Sequence, residues 1–224
     1  MLPANSDSAR AVSLGDVDGD GDLDAFLGNY GQQNRLYLNG GTGVFTDVTA
    51  TNLPALVDYT AAIALGDVDG DGDLDAFVGN YGSFSSSGMQ NRLYFNGGAG
   101  VFADVTATNL PALSDFTNAV ALGDVDGDGD LDAYTGNASS ASAGGQNRLY
   151  LNSGTGFFTD ATVANLPALL NDTQAVALGD VDGDGDLDAL EGTGSSSVAQ
   201  NRLYFNGGAG VFADVTATNL PALS

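Results

Sequence analysis

Short apolar stretches recur along the chain, separated by turns rich in Gly, Asp and Asn. "AVALG" (Ala175–Gly179) alternates apolar and small residues, and "LDAFVGN" (Leu74–Asn80) is a second stretch of similar length. "NRLYFN" (Asn91–Asn96) places Leu and Phe on one side of a pleat and Arg and Tyr on the other. "VFADVTA" (Val101–Ala107) follows a GGAG turn, where Gly permits a positive φ. No window shows helical periodicity over about ten residues or more, so the pattern predicts short β-strands.

These four stretches form one unit that occurs four times. The tripeptide LPA marks the period, and its prolines lie 51 to 57 residues apart, at Pro3, Pro54, Pro111, Pro167 and Pro221. The spacing varies in one loop only, which has 3, 9, 8 or 6 residues between the second and third stretches. Gln90–Ser114 and Gln200–Ser224 are identical over 25 residues. The repeats are therefore one structural unit that carries one loop of variable length.

A period of about 55 residues with four strands per unit predicts the blades of a β-propeller. We expect an all-β fold, a β-propeller of four four-stranded blades, within a single domain over residues 1–224. The expected blades are residues 5–55, 56–112, 113–168 and 169–224, called repeats 1 to 4 below. Two alternatives stay open: half of an eight-bladed ring formed by two chains, or a segment of a longer propeller array.

The charge of the chain is concentrated in four places. The 224 residues include 29 acidic and five basic side chains, for a formal net charge of −24. Twenty of the acidic residues lie in four Asp clusters, so the acidity points to cations. With so few basic residues, nucleic acid is not an expected partner.

Further function classes are excluded by residues that the chain lacks. It has no Cys and no His, which removes disulfides, thiol nucleophiles, Ser-His-Asp triads and the usual zinc ligands. No apolar run approaches about 20 residues, so membrane insertion is not expected. The first ten residues lack the features of a signal peptide, and we expect any secretion signal to lie outside this chain.

Each repeat carries the motif GDVDGDGDLDA, with Asp at alternate positions. Carboxylates at positions 1, 3, 5 and 9, with Gly at 6 and a carbonyl at 7, suit a hard cation that takes six to eight oxygen ligands. Ca²⁺ tolerates such a flexible cage better than Mg²⁺ does, so we expect about one Ca²⁺ per repeat, four in total. The expected metal-site residues are Asp16, Asp18, Asp20, Asp22, Asp24, Asp67, Asp69, Asp71, Asp73, Asp75, Asp124, Asp126, Asp128, Asp130, Asp132, Asp180, Asp182, Asp184, Asp186 and Asp188.

The motif is not that of an EF-hand. An EF-hand needs Glu at position 12 and a helix on each side. Position 12 is Leu27, Val78, Thr135 or Glu191, and the flanks predict strands, so we interpret Glu191 as a coincidence. Turn formation alone explains one or two Asp per turn, but not five Asp in each of four copies.

The stretch "GDVDGDGDLDAFVGN…NRLYFNGGAGVFADVT" resembles the FG-GAP/VCBS repeats of bacterial surface proteins and, more distantly, the integrin α-subunit propeller. The resemblance covers essentially the whole chain. It implies a structural Ca²⁺ between the first and second strands of each blade, bound in repeat 1 by the side chains of Asp16, Asp18, Asp20 and Asp24 and by the carbonyl of Asp22, and likewise in the other repeats. Such propellers commonly have seven or eight blades, whereas this chain has four.

Each repeat also has one Arg in a QNR tripeptide and one Tyr two residues later. These residues are Arg35, Arg92, Arg148 and Arg202, with Tyr37, Tyr94, Tyr150 and Tyr204. We expect each Arg to pair with carbonyls or with a nearby Asp (Asp47, Asp104, Asp160, Asp214) rather than to capture an anion or sugar. We expect each Tyr to pack between blades rather than to stack on a sugar.

Strand counting places the variable loops and the linkers between blades on the face opposite the Asp loops. In integrin-like propellers partners bind on that face, so the resemblance implies a protein or glycan ligand there, or further copies of the chain. The expected contact residues are Tyr30, Tyr59, Tyr81, Phe84 and Phe116.

The expected function is that of a calcium-stabilised extracellular or cell-surface β-propeller, a structural or adhesive module without catalysis. Nearly identical repeats make a repeated surface, whereas an active site needs unlike residues converging on one pocket. The alternatives are a lectin-like propeller with one carbohydrate site per blade, and a repeating subunit of an extracellular surface fibre.

Overall fold

The computed structural model describes residues 6–82, 88–138, 145–194 and 200–221. Each repeat contains four antiparallel strands, and strands that follow one another along the chain also pair with one another. The strands of repeats 1 and 2 form one continuous eight-stranded sheet, because Tyr30 at the end of the second strand of repeat 1 pairs with Tyr59 in the first strand of repeat 2. Repeat 1 contains β1 (Ala9–Gly15), β2 (Asp24–Gln32), β3 (Arg35–Asn39), β4 (Phe45–Asp47) and α1 (Thr49–Asn52). Repeat 2 contains β5 (Asp58–Gly66), β6 (Asp75–Asn80), β7 (Arg92–Asn96), β8 (Phe102–Asp104) and α2 (Thr106–Asn109).

Repeats 3 and 4 have the same four strands and the same helical turn. In addition, a two-residue strand of repeat 3 pairs with a two-residue strand of repeat 4. Repeat 3 contains β9 (Phe116–Gly123), β10 (Asp132–Ala138), β11 (Gly145–Gln146), β12 (Arg148–Asn152), β13 (Phe158–Asp160) and α3 (Thr162–Asn165). Repeat 4 contains β14 (Leu170–Asn171), β15 (Thr173–Gly179), β16 (Asp188–Thr193), β17 (Arg202–Asn206), β18 (Phe212–Asp214) and α4 (Thr216–Asn219). The all-β class is therefore confirmed. No helix among the described residues is long and apolar enough to cross a membrane.

The fourth strand of each repeat is shorter than the sequence predicts. The prediction ran from Val101 to Ala107, but β8 ends at Asp104 because its Oδ1 accepts the N–H of Thr106 at 2.9 Å and turns the chain. The Thr106 hydroxyl in turn accepts the N–H of Leu93 at 3.0 Å, which holds the helical turn against β7. The same two bonds recur in the other repeats.

Successive repeats pack face to face. Because side chains alternate along a strand, each sheet has a forward face toward the next repeat and a rear face toward the previous one. The forward faces of repeats 1, 2 and 3 contribute Val17, Phe26, Leu36 and Leu53; Val68, Phe77, Leu93 and Leu110; and Val125, Tyr134, Leu149 and Leu166. The rear faces of repeats 2, 3 and 4 contribute Ala76, Val78, Tyr94 and Phe102; Ala133, Tyr150 and Phe158; and Ala189, Tyr204 and Phe212.

The sheets do not close into a ring. The first strand of each repeat lies against the first strand of the next, from β1 through β5 and β9 to β15. Three core clusters join the four repeats in series, and none within the described ranges joins repeat 4 to repeat 1. The arrangement is thus a series of curled antiparallel sheets, and the predicted closure of four blades into a ring is not what the structure shows. The expected blade boundaries stay a prediction.

Candidate metal centre

Each Asp motif forms the hairpin between the first and second strands of its repeat. In repeat 1 the hairpin closes where Gly15 pairs with Asp24, and the other three repeats close in the same register. The two carboxylate oxygens of Asp16 accept the N–H groups of Gly19 and Gly21, each at 2.9 Å. Gly19 and Gly21 have φ of 77° and 91°, a conformation that suits Gly. These bonds fold the loop back over the side chain at position 1.

The aspartate at position 9 connects this loop to the rest of the sheet. Asp24 is buried, and its two carboxylate oxygens accept the N–H of Val17 at 3.0 Å and the N–H of Asn39 at 2.8 Å. The other repeats make the same pair of bonds. Burial raises the pKa of Asp75 and Asp132 to about 6, and the two N–H donors to each carboxylate offset part of that shift.

Three carboxylates converge in every loop. The converging groups are Asp16, Asp18 and Asp24; Asp67, Asp69 and Asp71; Asp124, Asp126 and Asp132; and Asp180, Asp182 and Asp188. In each group, one oxygen per residue lies within 4.8 Å of the others. Two oxygens on opposite sides of a Ca²⁺ are separated by about 5 Å, since Ca–O distances are 2.3–2.6 Å. The spacing and the all-oxygen donor set therefore fit Ca²⁺.

The aspartate at position 7 points elsewhere. The carboxylate of Asp22 lies against the β3–β4 turn, where a Cβ added to Gly41 would be 2.5 Å from Oδ2 of Asp22. Asp73 and Gly98 are arranged in the same way. Within the described ranges, no cluster includes a position-7 carboxylate. This leaves the backbone carbonyl as the group that position 7 could offer to an ion. The ligand assignments themselves stay predictions.

The predicted contact residues form two aromatic pairs at the end of the sheets away from the Asp loops. Tyr30 meets Tyr59 with ring centroids 4.9 Å apart, and Tyr81 meets Phe116 at 5.4 Å. Each pair bridges two successive repeats, and all four side chains are half-buried. Phe84 lies outside the described residues. A ligand on this face stays a prediction.

The repeated Arg and Tyr residues have structural roles, as the sequence predicts. Arg92 pairs with Asp104 at 3.5 Å, and the other three make equivalent pairs. The sequence did not identify a second carboxylate, that of Asp58, which lies 3.1 Å from Arg92. Its equivalents in repeats 1 and 3 also pair with Arg, whereas repeat 4 has Asn171 at that position. The four Tyr side chains are buried and therefore do not offer a surface for a sugar.

Glu191 does not join the Asp cluster of its loop, but it has a structural role that the sequence analysis did not identify. It is buried between repeats 3 and 4 and accepts hydrogen bonds from the hydroxyl of Tyr134 at 2.6 Å and from Nδ2 of Asn171 at 3.0 Å. Asn147 and Tyr204 also donate to this carboxylate. Burial raises its pKa, and the four donors oppose the shift. The sequence contained a signal for this contact. Repeat 3 has Tyr134 where repeats 1 and 2 have Phe, and the next repeat along the chain is the one that has Glu at position 12 of the motif.

Comparisons with known proteins agree with the repeat structure. The model of the FG-GAP-like repeat matches residues 4–78, 81–135 and 138–190, which is most of the chain. Among solved structures, the V. cholerae biofilm matrix protein Bap1 matches with a TM-score of 0.48 and 14% identity, over 90% of this chain and 27% of that one. The chain thus spans about a quarter of Bap1, and a likeness this weak supports no inference about function. No curated protein matches the chain.

Proposed function

Because the chain belongs to the FG-GAP-like repeat family, we propose that it is a calcium-stabilised structural module of the cell surface or extracellular space, without catalysis of its own. One observation carries the proposal: the same hairpin in all four repeats brings three carboxylates together. Extracellular modules work with weak Ca²⁺ sites, with dissociation constants on the order of 10⁻⁴–10⁻³ M, which suits loops that are largely open to solvent.

The residues at positions 1, 3, 5 and 9 of each loop would hold the ion, together with the carbonyl at position 7. A bound Ca²⁺ supplies positive charge at the point where the carboxylates repel one another. Without it, desolvation raises the pKa of Asp18, Asp69 and Asp126, and neighbouring aspartates add to the shift. The carboxylate at position 9 connects the loop to the third strand, so ordering the loop also stabilises the sheet.

The architecture supports a structural role. The four repeats form curled antiparallel sheets that pack in series through three similar junctions, so the surface of the chain repeats. The lectin alternative loses its candidate surface, since the repeated Tyr residues are buried.

The first test is a melting experiment in Ca²⁺, in Mg²⁺ and in EGTA. We expect Ca²⁺ to raise the melting temperature well above its value in EGTA, with a smaller effect of Mg²⁺, because only the folded loops gather the carboxylates. Calorimetric titration should give about four Ca²⁺ per chain. An unchanged melting temperature in EGTA would contradict the proposal.

Two variants in one loop provide a matched control. Asp18→Asn and Asp22→Asn remove the same charge from the same hairpin, but only Asp18 places its carboxylate in the cluster. We expect Asp18→Asn to reduce the stoichiometry toward three, whereas Asp22→Asn keeps four. Equal effects of the two variants would mean that general acidity, and not a defined ligand set, attracts the ion.

A further inference from the structure

Each end of the series exposes part of a face that packs against a neighbouring repeat at the internal junctions. On the forward face, Val17, Val68 and Val125 are 1–2% exposed, but their equivalent in repeat 4, Val181, is 57% exposed. On the rear face, Ile63 and its equivalents in repeats 3 and 4 pack on the preceding repeat, but Val12 of repeat 1 is 66% exposed. The forward face of repeat 4 is thus open at Val181 and Leu190, whereas Leu203 on the same face is buried. The rear face of repeat 1 is open at Val12, Leu14 and Leu23, whereas Ala25 and Tyr37 on that face are buried within the chain.

Glycines on the forward faces form sockets for leucines of the next repeat. A Cβ on Gly15 would lie 2.7 Å from Leu74 and 3.0 Å from Leu65, both in repeat 2. Gly66 and Gly123 receive the equivalent leucines of repeats 3 and 4. At Gly179 of repeat 4, no described atom lies within 4 Å of such a Cβ. The matching leucines of repeat 1, Leu14 and Leu23, are 58% and 57% exposed.

The open faces carry the residues of a junction that already exists within the chain. The forward face of repeat 4 shares Val, Leu and Leu with repeat 2 at positions 181, 203 and 220, and differs at Leu190, where repeat 2 has Phe77. The face that covers repeat 2 belongs to repeat 3. Repeat 1 has identical residues at six of those covering positions, namely Val12, Leu14, Leu23, Ala25, Tyr37 and Phe45, and differs at Leu27, where repeat 3 has Thr135.

The residues that differ at the two ends also match each other. The third junction pairs Tyr134 with Glu191, and the first pairs Phe26 with Val78. The equivalent residues at the ends are Leu190 on the forward face and Leu27 on the rear face. Two apolar side chains would meet there, and neither end carries the buried carboxylate that needs a Tyr partner.

A pocket on repeat 4 has the shape of an unfilled junction. Leu190, Asn201, Leu220 and Pro221 line an open pocket of about 250 Å³. At the third junction the equivalent residues Tyr134, Asn147, Leu166 and Pro167 line a space of only about 10 Å³, because side chains of repeat 4 close it. The pocket is therefore shaped for the rear face of a following repeat.

The two ends also carry the donor and the acceptor of a hydrogen bond that crosses every internal junction. The last residue of the third strand donates across each internal junction: Asn96 Nδ2 to the carbonyl of Val17 at 2.8 Å, with the same bond at the next two junctions. The equivalent donor in repeat 1 is Asn39. Among the described residues, its Nδ2 donates to the carbonyl of Leu23 within the same repeat. The equivalent acceptor is the carbonyl of Val181.

We propose that a second copy of this chain docks head to tail, with the rear face of its repeat 1 on the forward face of repeat 4. The contact is heterologous, so two copies that return on each other form a closed ring of eight repeats, and copies that do not close continue the series. The inference rests on the packing of these faces and not on the calcium proposal.

The test measures mass by sedimentation and light scattering over a dilution series of the 224-residue chain, with Leu190→Asp on the forward face and Val12→Asp on the rear face. Each variant places a charge in the junction, and we expect each to weaken association about a hundredfold. Val163→Asp is the control, because Val163 is 91% exposed on α3 and belongs to none of the three core clusters.

A head-to-tail contact has a distinctive mixing result. Each Asp variant alone should remain near the monomer mass of 22.5 kDa, whereas an equal mixture should form a dimer through one intact forward face and one intact rear face. That recovery also shows that both variants are folded. A two-chain mass or a larger one for the unmodified chain supports the proposal.

Three results would overturn it. The first is an unmodified chain that stays monomeric at every concentration. The second is a single-face variant that self-associates as tightly as the unmodified chain. The third is a monomer whose melting temperature falls in both variants because the chain closes on itself. Masses are recorded in Ca²⁺ and in EGTA. Absent association with a retained Ca²⁺ effect on melting refutes only the docking proposal, and the reverse result refutes only the calcium proposal.

Discussion

At the scale of single residues, the third junction differs from the other two by a buried carboxylate. Glu191 replaces Leu27, Val78 and Thr135, and its partner Tyr134 replaces Phe26 and Phe77. Asn171, which also donates to Glu191, stands where the other repeats have an Arg-paired Asp. Repeat 4 has thus moved one negative charge from the edge of its sheet into the junction, where four donors satisfy it.

We expect Tyr134→Phe to lower the free energy of unfolding by about 1–3 kcal/mol, because it leaves a buried carboxylate short of one of its four donors. Adding Glu191→Val to that variant should recover part of the loss, since Phe opposite Val is the pair found at the first junction. Urea denaturation of the two single variants and the double variant measures the coupling. Additive losses would mean that the two side chains do not act as a unit.

At the scale of elements, close approach between repeats depends on Gly within the second strand. Gly79 in β6 lacks a positive φ, so its role is one of space. A Cβ there would lie 2.8 Å from methyl groups of Thr117 and Val120, which are β-branched and have little freedom to rotate away. Gly192 is the equivalent residue in β16, and a Cβ there would meet only Ala175, at 3.5 Å for the nearest atom.

Gly79→Ala should therefore destabilise the chain by about 1–3 kcal/mol through overpacking of the second junction. Gly192→Ala is the matched control on the open face, and we expect it to change stability by less than about 1 kcal/mol in the dilute monomer. Thermal and urea denaturation compare the two. If both variants lose stability equally, the cost lies in the strand itself and not in contact between repeats.

At the scale of elements, part of the structure could be predicted from the sequence alone. Alternation of apolar and polar residues and the position of turn residues predicted the four strands of each repeat, because both act over only a few neighbouring residues. The early end of the fourth strand was not predicted, since it depends on the Asp104 side chain bonding to Thr106 and on Thr106 bonding to β7. The convergence of Asp16, Asp18 and Asp24 was predicted, but the bond from Asn39 to Asp24 was not.

At the scale of the whole molecule, charge opposes the association of two copies. Each carries a formal charge of −24, which four Ca²⁺ would reduce to −16, whereas the faces proposed to meet are apolar. Long-range repulsion between exposed charges is screened by salt over a distance of about 10 Å at 0.1 M, but burial of apolar surface is not weakened by screening.

Self-association should therefore strengthen as NaCl is raised, and the effect should be larger in EGTA than in Ca²⁺. Sedimentation at several salt concentrations measures it, with Leu190→Asp as the control that stays monomeric throughout. Association that weakens with salt would indicate a contact made by ion pairs, which the proposed faces do not contain.

The sequence by itself determined the repeat, its strands, the Asp hairpins and the family, because all of these follow from local pattern and turn chemistry. Only the tertiary structure decided which faces are covered. Val17 is buried because repeat 2 covers it, whereas Val181 has the same place in repeat 4 and is exposed. Glu191 is the centre of a junction because Tyr134 of the preceding repeat donates to it. Such contacts join residues that are far apart in sequence, and a single repeat read alone contains no information about its neighbour.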